Sequence, residues 1–381
     1  MQSMPPARRR KLRTWSAGPG PTELTASQEG NSNPKTLLDL ASNDYLGLCR
    51  HPALIKAARD CLQIDGVGAG ASRLVTGSRP IHAALEQALA LWLGRDKVLL
   101  FPSGFQANIA AVMALADRST PVLADRLTHH SLLVGVKASG AKLQRFNHLD
   151  LNDLENRLKR CRINSPDQQP LVISESLFSM EGTSPVMRDL ASLCNEHDAR
   201  LIIDEAHALG VIGTDGRGLC HGLKAPVSLI SGTFGKAFGS GGAFLAGDAV
   251  MSEQLLQSSG AFRYTTALAP PLAAAALAAL NLIETHPHWA KELQQQAKRW
   301  RERITAEGWP TPPGHGPILS LVIGNDQQAL DKQVQLEAAG LLSVAIRPPT
   351  VPEGTSRLRL VLRRNLPDET LEQLVNALVP R

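Results

Sequence analysis

Cysteine is scarce here: five among 381 residues, at Cys49, Cys61, Cys161, Cys194 and Cys220. They are scattered, odd in number and form no C-x-x-C pair. That excludes a disulfide framework and points to reduced thiols in a cytoplasmic protein. No metal site is expected. Aromatic residues make up 4% of the chain, and no basic motif interleaved with aromatics is present, so no nucleic-acid partner is expected. The basic run Arg8, Arg9, Arg10, Lys11 and Arg13 reads as a solvated terminus. It has no apolar core, so it is not a secretory signal. Long apolar runs are also missing. Leu272–Ile283 is short, alanine-rich and preceded by Pro270-Pro271, which fits a buried helix with proline at its start and not a membrane span. No repeat of solenoid period is present.

What remains is ordinary globular composition, 43% hydrophobic and 20% charged with a net charge of +5, in a chain long enough for one large and one smaller domain. Residues 1 to about 36 read as an irregular arm rich in Pro, Gly, Ser and Arg. Helical spacing follows over Pro52–Gln63 and Pro80–Leu93. Strand-like runs then recur at Lys97–Phe101, Pro121–Ala124, Lys142–Phe146, Leu171–Glu175, Leu201–Asp204, Val227–Ser231 and Ala243–Ala246. Helical runs such as Gln106–Ala116, Leu151–Lys159 and Met187–Glu196 lie between them. This alternation predicts an α/β fold with a mostly parallel seven-stranded sheet. After about residue 285 the texture changes to a smaller α+β domain. The expected boundaries are an arm over 1–50, a large domain over 51–285 and a small one over 286–381.

The glycine-rich stretch Ser231–Gly242, S-G-T-F-G-K-A-F-G-S-G-G, places Lys236 on a tight connection between two strands. Three readings compete. One is a glycine turn with a solvated lysine. A second is a Walker A loop, but Ile230 stands where its first glycine belongs and Ala237 follows the lysine, which rejects it. The third is a lysine that binds pyridoxal phosphate, because a lysine that loses hydration shifts toward the neutral amine that forms a Schiff base. That reading requires a carboxylate elsewhere for the pyridine nitrogen.

Asp204, after Leu201-Ile202-Ile203, supplies one at the carboxyl end of a buried strand, where α/β folds place ligands. His207, three residues on, reaches the same place or is a capping or core histidine. Ser103-Gly104-Phe105 opens a helix whose N–H groups suit a phosphate. His129-His130 opens another, as a ring-stacking partner or a surface histidine. Glu175 begins E-S-L-F-S-M-E-G at a further strand end, and Thr233 lies three residues before Lys236. Gly66–Ala71 fits G-x-G-x-x-A, but an amphipathic helix precedes it where a dinucleotide fingerprint needs a strand.

Together these residues resemble the α-oxoamine synthase family of pyridoxal phosphate enzymes, of aminotransferase fold type I. The motifs are N-D-Y-L-G-L at Asn43, G-x-G-x-G-x-S-R at Gly66, F-P-S-G-F at Phe101, D-R-L-x-H-x-S at Asp125, D-E-A-H-x-x-G at Asp204 and T-F-G-K-x-F-G at Thr233. The tail I-R-P-P-T-V-P-E-G-T-S-R-L-R-L from Ile346 is similar to the member that serves biotin synthesis.

The resemblance implies pyridoxal 5'-phosphate held by Lys236, which also moves the α-proton. It implies Asp204 on the ring nitrogen, His129 stacked on the ring, and His207 and Ser179 at the ring oxygen or its neighbours. Gly104, Phe105 and Thr233 would hold the cofactor and its phosphate, and Thr265 or Thr266 the phosphate of a neighbouring subunit in a homodimer. Arg359 would bind the amino acid carboxylate, with Arg13 and Thr350 at the acyl substrate. Arg263 stands before Y-T-T where the family usually has an apolar residue. The implied substrates are L-alanine and a pimeloyl thioester of CoA or acyl carrier protein. Glycine-using sister enzymes, a transaminase or decarboxylase of the same fold, and a pyridoxal phosphate-dependent regulator remain as rivals.

Overall fold

The structure, a computed structural model, describes residues 5–27 and 35–378. Two compact units are present. The larger holds residues 48–178 and 184–290, and the smaller gathers 179–183 with the described parts of 1–47 and 291–381. No helix among the described residues is long and apolar enough to cross a membrane.

The larger unit is built on seven strands: β1 (Lys97–Phe101), β2 (Pro121–Asp125), β3 (Lys142–Phe146), β4 (Leu171–Glu175), β5 (Arg200–Asp204), β6 (Leu229–Thr233) and β7 (Ala243–Gly247). They lie in one sheet in the order β1-β7-β6-β5-β4-β2-β3. Residues 234–242 between β6 and β7 are fewer than the roughly dozen that a parallel crossover needs. β7 therefore turns back antiparallel, with Ala243 opposite Thr233, and pairs antiparallel with β1 as well. The other pairings are parallel. The carboxyl ends of β1, β2, β4, β5 and β6 therefore share one edge of the sheet, where open α/β sheets bind ligands.

Strands buried on both faces read as continuous apolar runs, and β4 and β7 are buried at every position. One face is covered by helix α1 (Gly104–Leu115) and helix α2 (His130–Ser139). Ala107, Ala110 and Ala111 of α1 have no exposed surface. A Cβ at Gly135 of α2 would lie 2.9 Å from Val112 Cβ, so small residues let these two helices approach closely. The strand predicted from Val227 begins at Leu229 because the Val227 carbonyl is taken by Arg95 Nη1 at 3.0 Å and not by the ladder. Gly66 caps the helix Pro52–Asp65, so the glycines after it lack the strand that a dinucleotide site requires.

The loop that carries Lys236 is held by the two phenylalanines that flank it. Phe234 and Phe238 are fully buried, 5.6 Å apart at 71°. Phe234 also meets Phe244 at 5.5 Å, and Phe238 meets Trp92 edge-on at 6.0 Å. Each such ring contributes roughly 2–3 kcal/mol by burial. Gly239 has φ +59°, and a Cβ there would lie 2.4 Å from the backbone nitrogen of Cys49.

The smaller unit corrects the expectation of an irregular arm. Thr14–Ala17 and Glu23–Ser27 form an antiparallel hairpin, extended by Thr36–Asp39, with Leu341–Leu342 added in parallel. The first of these strands is exposed along most of its length, so no apolar alternation marked it. A second sheet pairs Ile318–Gly324, Ser356–Val361 and Val344–Ile346 in antiparallel fashion. Buried Arg363 ties chain start to chain end, donating to Asp39 Oδ2 at 3.2 Å and Asp44 Oδ2 at 2.8 Å.

Phe238→Ala should cost roughly 3–5 kcal/mol of stability, the usual range for an emptied aromatic site. Differential scanning calorimetry checks this against Val250→Ala, at a position that is 78% exposed. Equal melting midpoints would show that the aromatic anchor does not hold the loop.

Candidate active site

Asp204 closes β5 after Leu201, Ile202 and Ile203, which are buried in the sheet. The register sets it beside Glu175 of β4 on one side and Ser231 of β6 on the other. Its carboxylate is buried: Oδ1 accepts from the Ala206 N–H at 2.8 Å and Oδ2 from Asn108 Nδ2 at 2.7 Å. Asn108 comes from α1, which Ser103 caps by accepting from the Gln106 N–H at 3.3 Å. The Gly104 and Phe105 N–H groups therefore open the helix with no partner inside it.

His129 caps α2. Its Nδ1 accepts from the Ser131 N–H at 3.3 Å, and the His129 backbone N–H donates to Glu175 Oε1 at 2.7 Å. Gly104, Phe105, Asn108, His129, Glu175 and Asp204, with His207, Gly232, Thr233 and Lys236, line one cavity of about 210 Å³. Lys236 is half-buried there. The Thr233 hydroxyl closes the base of its loop, donating to the Gly242 carbonyl at 3.0 Å and accepting from the Gly235 N–H at 3.2 Å.

Burial sets the charge states. It lowers the His129 pKa, Asp204 pulling the other way and Lys236 and His130 adding to the fall, so the ring is neutral at neutral pH. Burial raises the Glu175 carboxyl well above the usual range, and the charge of Asp204 raises it further. Glu205, next to Asp204, does not line the cavity. It accepts from the Leu219 and Cys220 N–H groups at 2.6 and 3.1 Å, and burial pushes it up to about 7.

The residues present fit a phosphorylated pyridine. A half-buried amine, a buried carboxylate, an imidazole and an open helix N-terminus converge on one cavity, and the Asn108 Oδ1 atom in its wall is buried without a partner. The structure thus brings together Gly104, Phe105, His129, Asp204, His207, Thr233 and Lys236. Thr265 is half-buried after the short helix Gly260–Arg263 and does not line this cavity. Arg263 lies over the Tyr264 ring at 5.3 Å and donates to the Gln257 carbonyl.

Arg13, Ser179, Thr350 and Arg359 belong to the smaller unit. Arg13 is engaged by Glu337 through two bonds of 2.6 and 3.0 Å and lies over Trp15. Thr350 Oγ1 accepts from Arg10 at 3.0 Å. Arg359 is buried, donating from Nε to the Ser179 carbonyl at 2.6 Å and from Nη2 to Asn43 Oδ1 at 2.9 Å.

Sequence reading does not single out Asn108, which lies inside a helix and meets its partners only in the fold. Glu175 shows in the sequence as a strand end, without its tie to His129. Ser131 is the last residue of D-R-L-x-H-x-S, a signal that points to it without saying what it does.

The family described as aminotransferase class I and II matches residues 35–378. The 8-amino-7-oxononanoate synthase of Saccharophagus degradans is 40% identical over 94% of this chain and 89% of its own length. Among solved structures, serine palmitoyltransferase of Sphingomonas wittichii superposes with a TM-score of 0.90 at 27% identity, covering 96% of this chain and 90% of that one. The 8-amino-7-oxononanoate synthase of Francisella tularensis gives 0.77 at 27% identity, covering 90% of this chain and 96% of that one.

Glu175 makes a test of the site's electrostatics. Its folded pKa is raised, so above the ordinary carboxyl pKa the folded chain keeps a proton that the unfolded chain releases. Its contribution to stability is full at low pH and falls as pH rises through that window. Glu175→Gln keeps an acceptor for His129 and removes the titration. The melting midpoint of the variant, relative to the parent, should therefore climb as pH rises above the ordinary carboxyl range. A difference that does not change with pH would show that Glu175 is not a buried acid.

Proposed function

The chain belongs to the class I and II aminotransferase family and, within it, to the α-oxoamine synthases, and from that premise we propose how its residues perform the reaction. It is a pyridoxal 5'-phosphate-dependent acyltransferase. Its activity is that of an 8-amino-7-oxononanoate synthase, joining L-alanine to a pimeloyl thioester with release of carbon dioxide and the free thiol. The relatives carry the substrate reading. The observation that supports the chemistry is the buried Asp204 carboxylate sharing one cavity with Lys236, His129 and His207.

Pyridoxal 5'-phosphate supplies an aldehyde that bonds to amines and a protonated ring that accepts the electron pair left when a bond at the α-carbon breaks. Lys236 would hold the cofactor through Nζ, and its amine, when free, would take the α-proton of alanine. Asp204 would pair with the ring nitrogen and keep its proton in place. The neutral imidazole of His129 would stack on the ring, and His207 and Ser179 would serve its oxygen. The opening N–H groups at Gly104 and Phe105 would receive the phosphate, as helix N-termini do. Arg359 takes the carboxylate of alanine with its planar guanidinium. Thr265 would serve the phosphate of a second subunit in a homodimer.

Asp204→Asn is nearly isosteric and removes the charge opposite the ring nitrogen. Turnover should fall roughly 100-fold or more, the scale for lost electrostatic stabilisation, while the cofactor still binds by absorbance. In the same preparations, borohydride reduction and peptide mapping should place the pyridoxyl group on Lys236. Near-normal turnover, or a label on another lysine, would contradict these roles.

The substrate reading is tested by kcat/KM for alanine or glycine paired with pimeloyl-, succinyl- or acetyl-CoA. Alanine with pimeloyl-CoA should be the best pair. Acyl selectivity should exceed the preference for alanine, because one methyl group is worth only about 1–3 kcal/mol. Glycine with acetyl- or succinyl-CoA as the best pair would overturn the substrate assignment.

A further inference from the structure

Four side chains from three elements form a directed hydrogen-bond chain beneath the cavity. Asn108 Nδ2 lies 2.7 Å from Asp204 Oδ2 and 2.9 Å from Ser131 Oγ. Ser131 Oγ lies 2.7 Å from His129 Nδ1. Asn108 is 3% exposed and Ser131 has no exposed surface, so water does not compete for these groups.

Donor arithmetic fixes the Asn108 end of the chain, and the Ser131 backbone N–H fixes the His129 end. A carboxylate has only acceptors to offer, so the Asn108 amide must present its NH₂ group to Asp204. That group has two protons. One goes to the carboxylate and the other to Ser131 Oγ. The Ser131 oxygen is then an acceptor toward Asn108, and its single proton is available for His129 Nδ1. The Ser131 backbone N–H, at 3.3 Å, aims at the same nitrogen. Two donors on Nδ1 leave no room for a proton there, so the neutral ring carries its proton on Nε2.

We propose that Asn108 and Ser131 are positioning residues: one relay that orients the Asp204 carboxylate and fixes His129 in its Nε2–H form. The proposal rests on the functional reading above only in giving Asp204 and His129 to the cofactor ring. Deepening that reading, it makes the two faces of the ring site interdependent. A change at Asn108 reaches His129, which it does not touch. The charged or titratable groups facing His129 are Asp204, Lys236, His130 and Glu175.

Asn108→Asp is close to isosteric and reverses the donor. A carboxylate at that position competes with Asp204 for one proton and offers the Ser131 hydroxyl a stronger acceptor than imidazole. Ser131→Ala is the milder variant, leaving the amide in place and removing only the hydroxyl. The full chain is labelled with ¹⁵N-histidine and studied by NMR with and without cofactor, His129 being assigned from a His129→Asn spectrum. In the parent, Nε2 should be protonated and Nδ1 should be a hydrogen-bonded acceptor. In both variants the Nδ1 signal should move toward that of an imidazole nitrogen without a strong donor.

In the loaded enzyme, Asn108→Asp should lower kcat roughly ten- to a hundredfold, the scale for one lost hydrogen bond to a charged group, with little change in KM for alanine. A parent His129 protonated on Nδ1, or an Nδ1 signal unmoved in both variants, would overturn the relay. The NMR shifts appearing in a protein with no condensation activity on any thioester would support the relay and count against the functional reading.

Discussion

A carboxylate buried at the end of a central strand is the constraint around which the larger unit is arranged. Taking such a group out of water costs several kcal/mol unless its lone pairs are met. Asp204 cannot retreat to solvent, because β5 is fixed by parallel neighbours on both sides. Its oxygens are met by a backbone N–H two residues on and by an amide from α1, both of them neutral donors. A cation placed opposite completes the compensation, and a protonated pyridine is such a cation. The antiparallel turn from β6 to β7 then brings Lys236 to the same edge of the sheet. Phe234 and Phe238, buried on either side of it, leave the lysine half-buried in the cavity while its loop is anchored in the core.

Three carboxylates stand at the ends of adjacent strands, and their surroundings give them different work. Glu175 is fully enclosed and binds the backbone of His129, so burial favours its neutral form. That limits like-charge repulsion against Asp204. Glu205 faces two N–H groups of the loop at Leu219 and Cys220. A Cβ at Gly218 would meet its Oε2 at 2.3 Å, so only glycine lets that loop close over the acid. Asp204 alone of the three both lines the cavity and accepts from a side-chain amide. D-E-A-H therefore encodes two neighbouring acids with opposite destinations, one for a ligand and one for the fold.

Much of this was legible in the sequence because buried parallel strands announce themselves. Six of the seven strands of the large sheet appear as short, largely apolar runs, the edge strand Lys142–Phe146 being polar and mostly exposed, and the lysine turn, the strand-end aspartate and the two helix starts stand beside them. Two things were not legible, for different reasons. The Thr14–Ala17 strand is mostly exposed, so it carries no apolar period, and its place depends on pairing with a later segment. Asn108 lies 96 residues from Asp204 and 23 from Ser131. Inside an alanine-rich helix it looks like any polar residue. Only closure of the sheet reveals that its amide has two destinations.

The arginines of the smaller unit show the same limit and how the structure resolves it. R-L-R sets Arg357 and Arg359 on the same face of one strand, and Arg363 follows closely. Nothing in their spacing says which is kept for a ligand. Arg357 pairs with Glu181 at 3.0 Å, and Arg363 pairs with Asp39 and Asp44, so both charges are spent within the fold. Arg359 is just as buried, yet its partners are a backbone carbonyl and the Asn43 side-chain amide. Beside it, burial pushes the Tyr45 phenol up to about 12 despite the arginine's opposing pull, so that neighbour is neutral as well. A buried guanidinium held by neutral groups is oriented but not neutralised. The difference in partners, not the motif, sets Arg359 apart from the other two arginines.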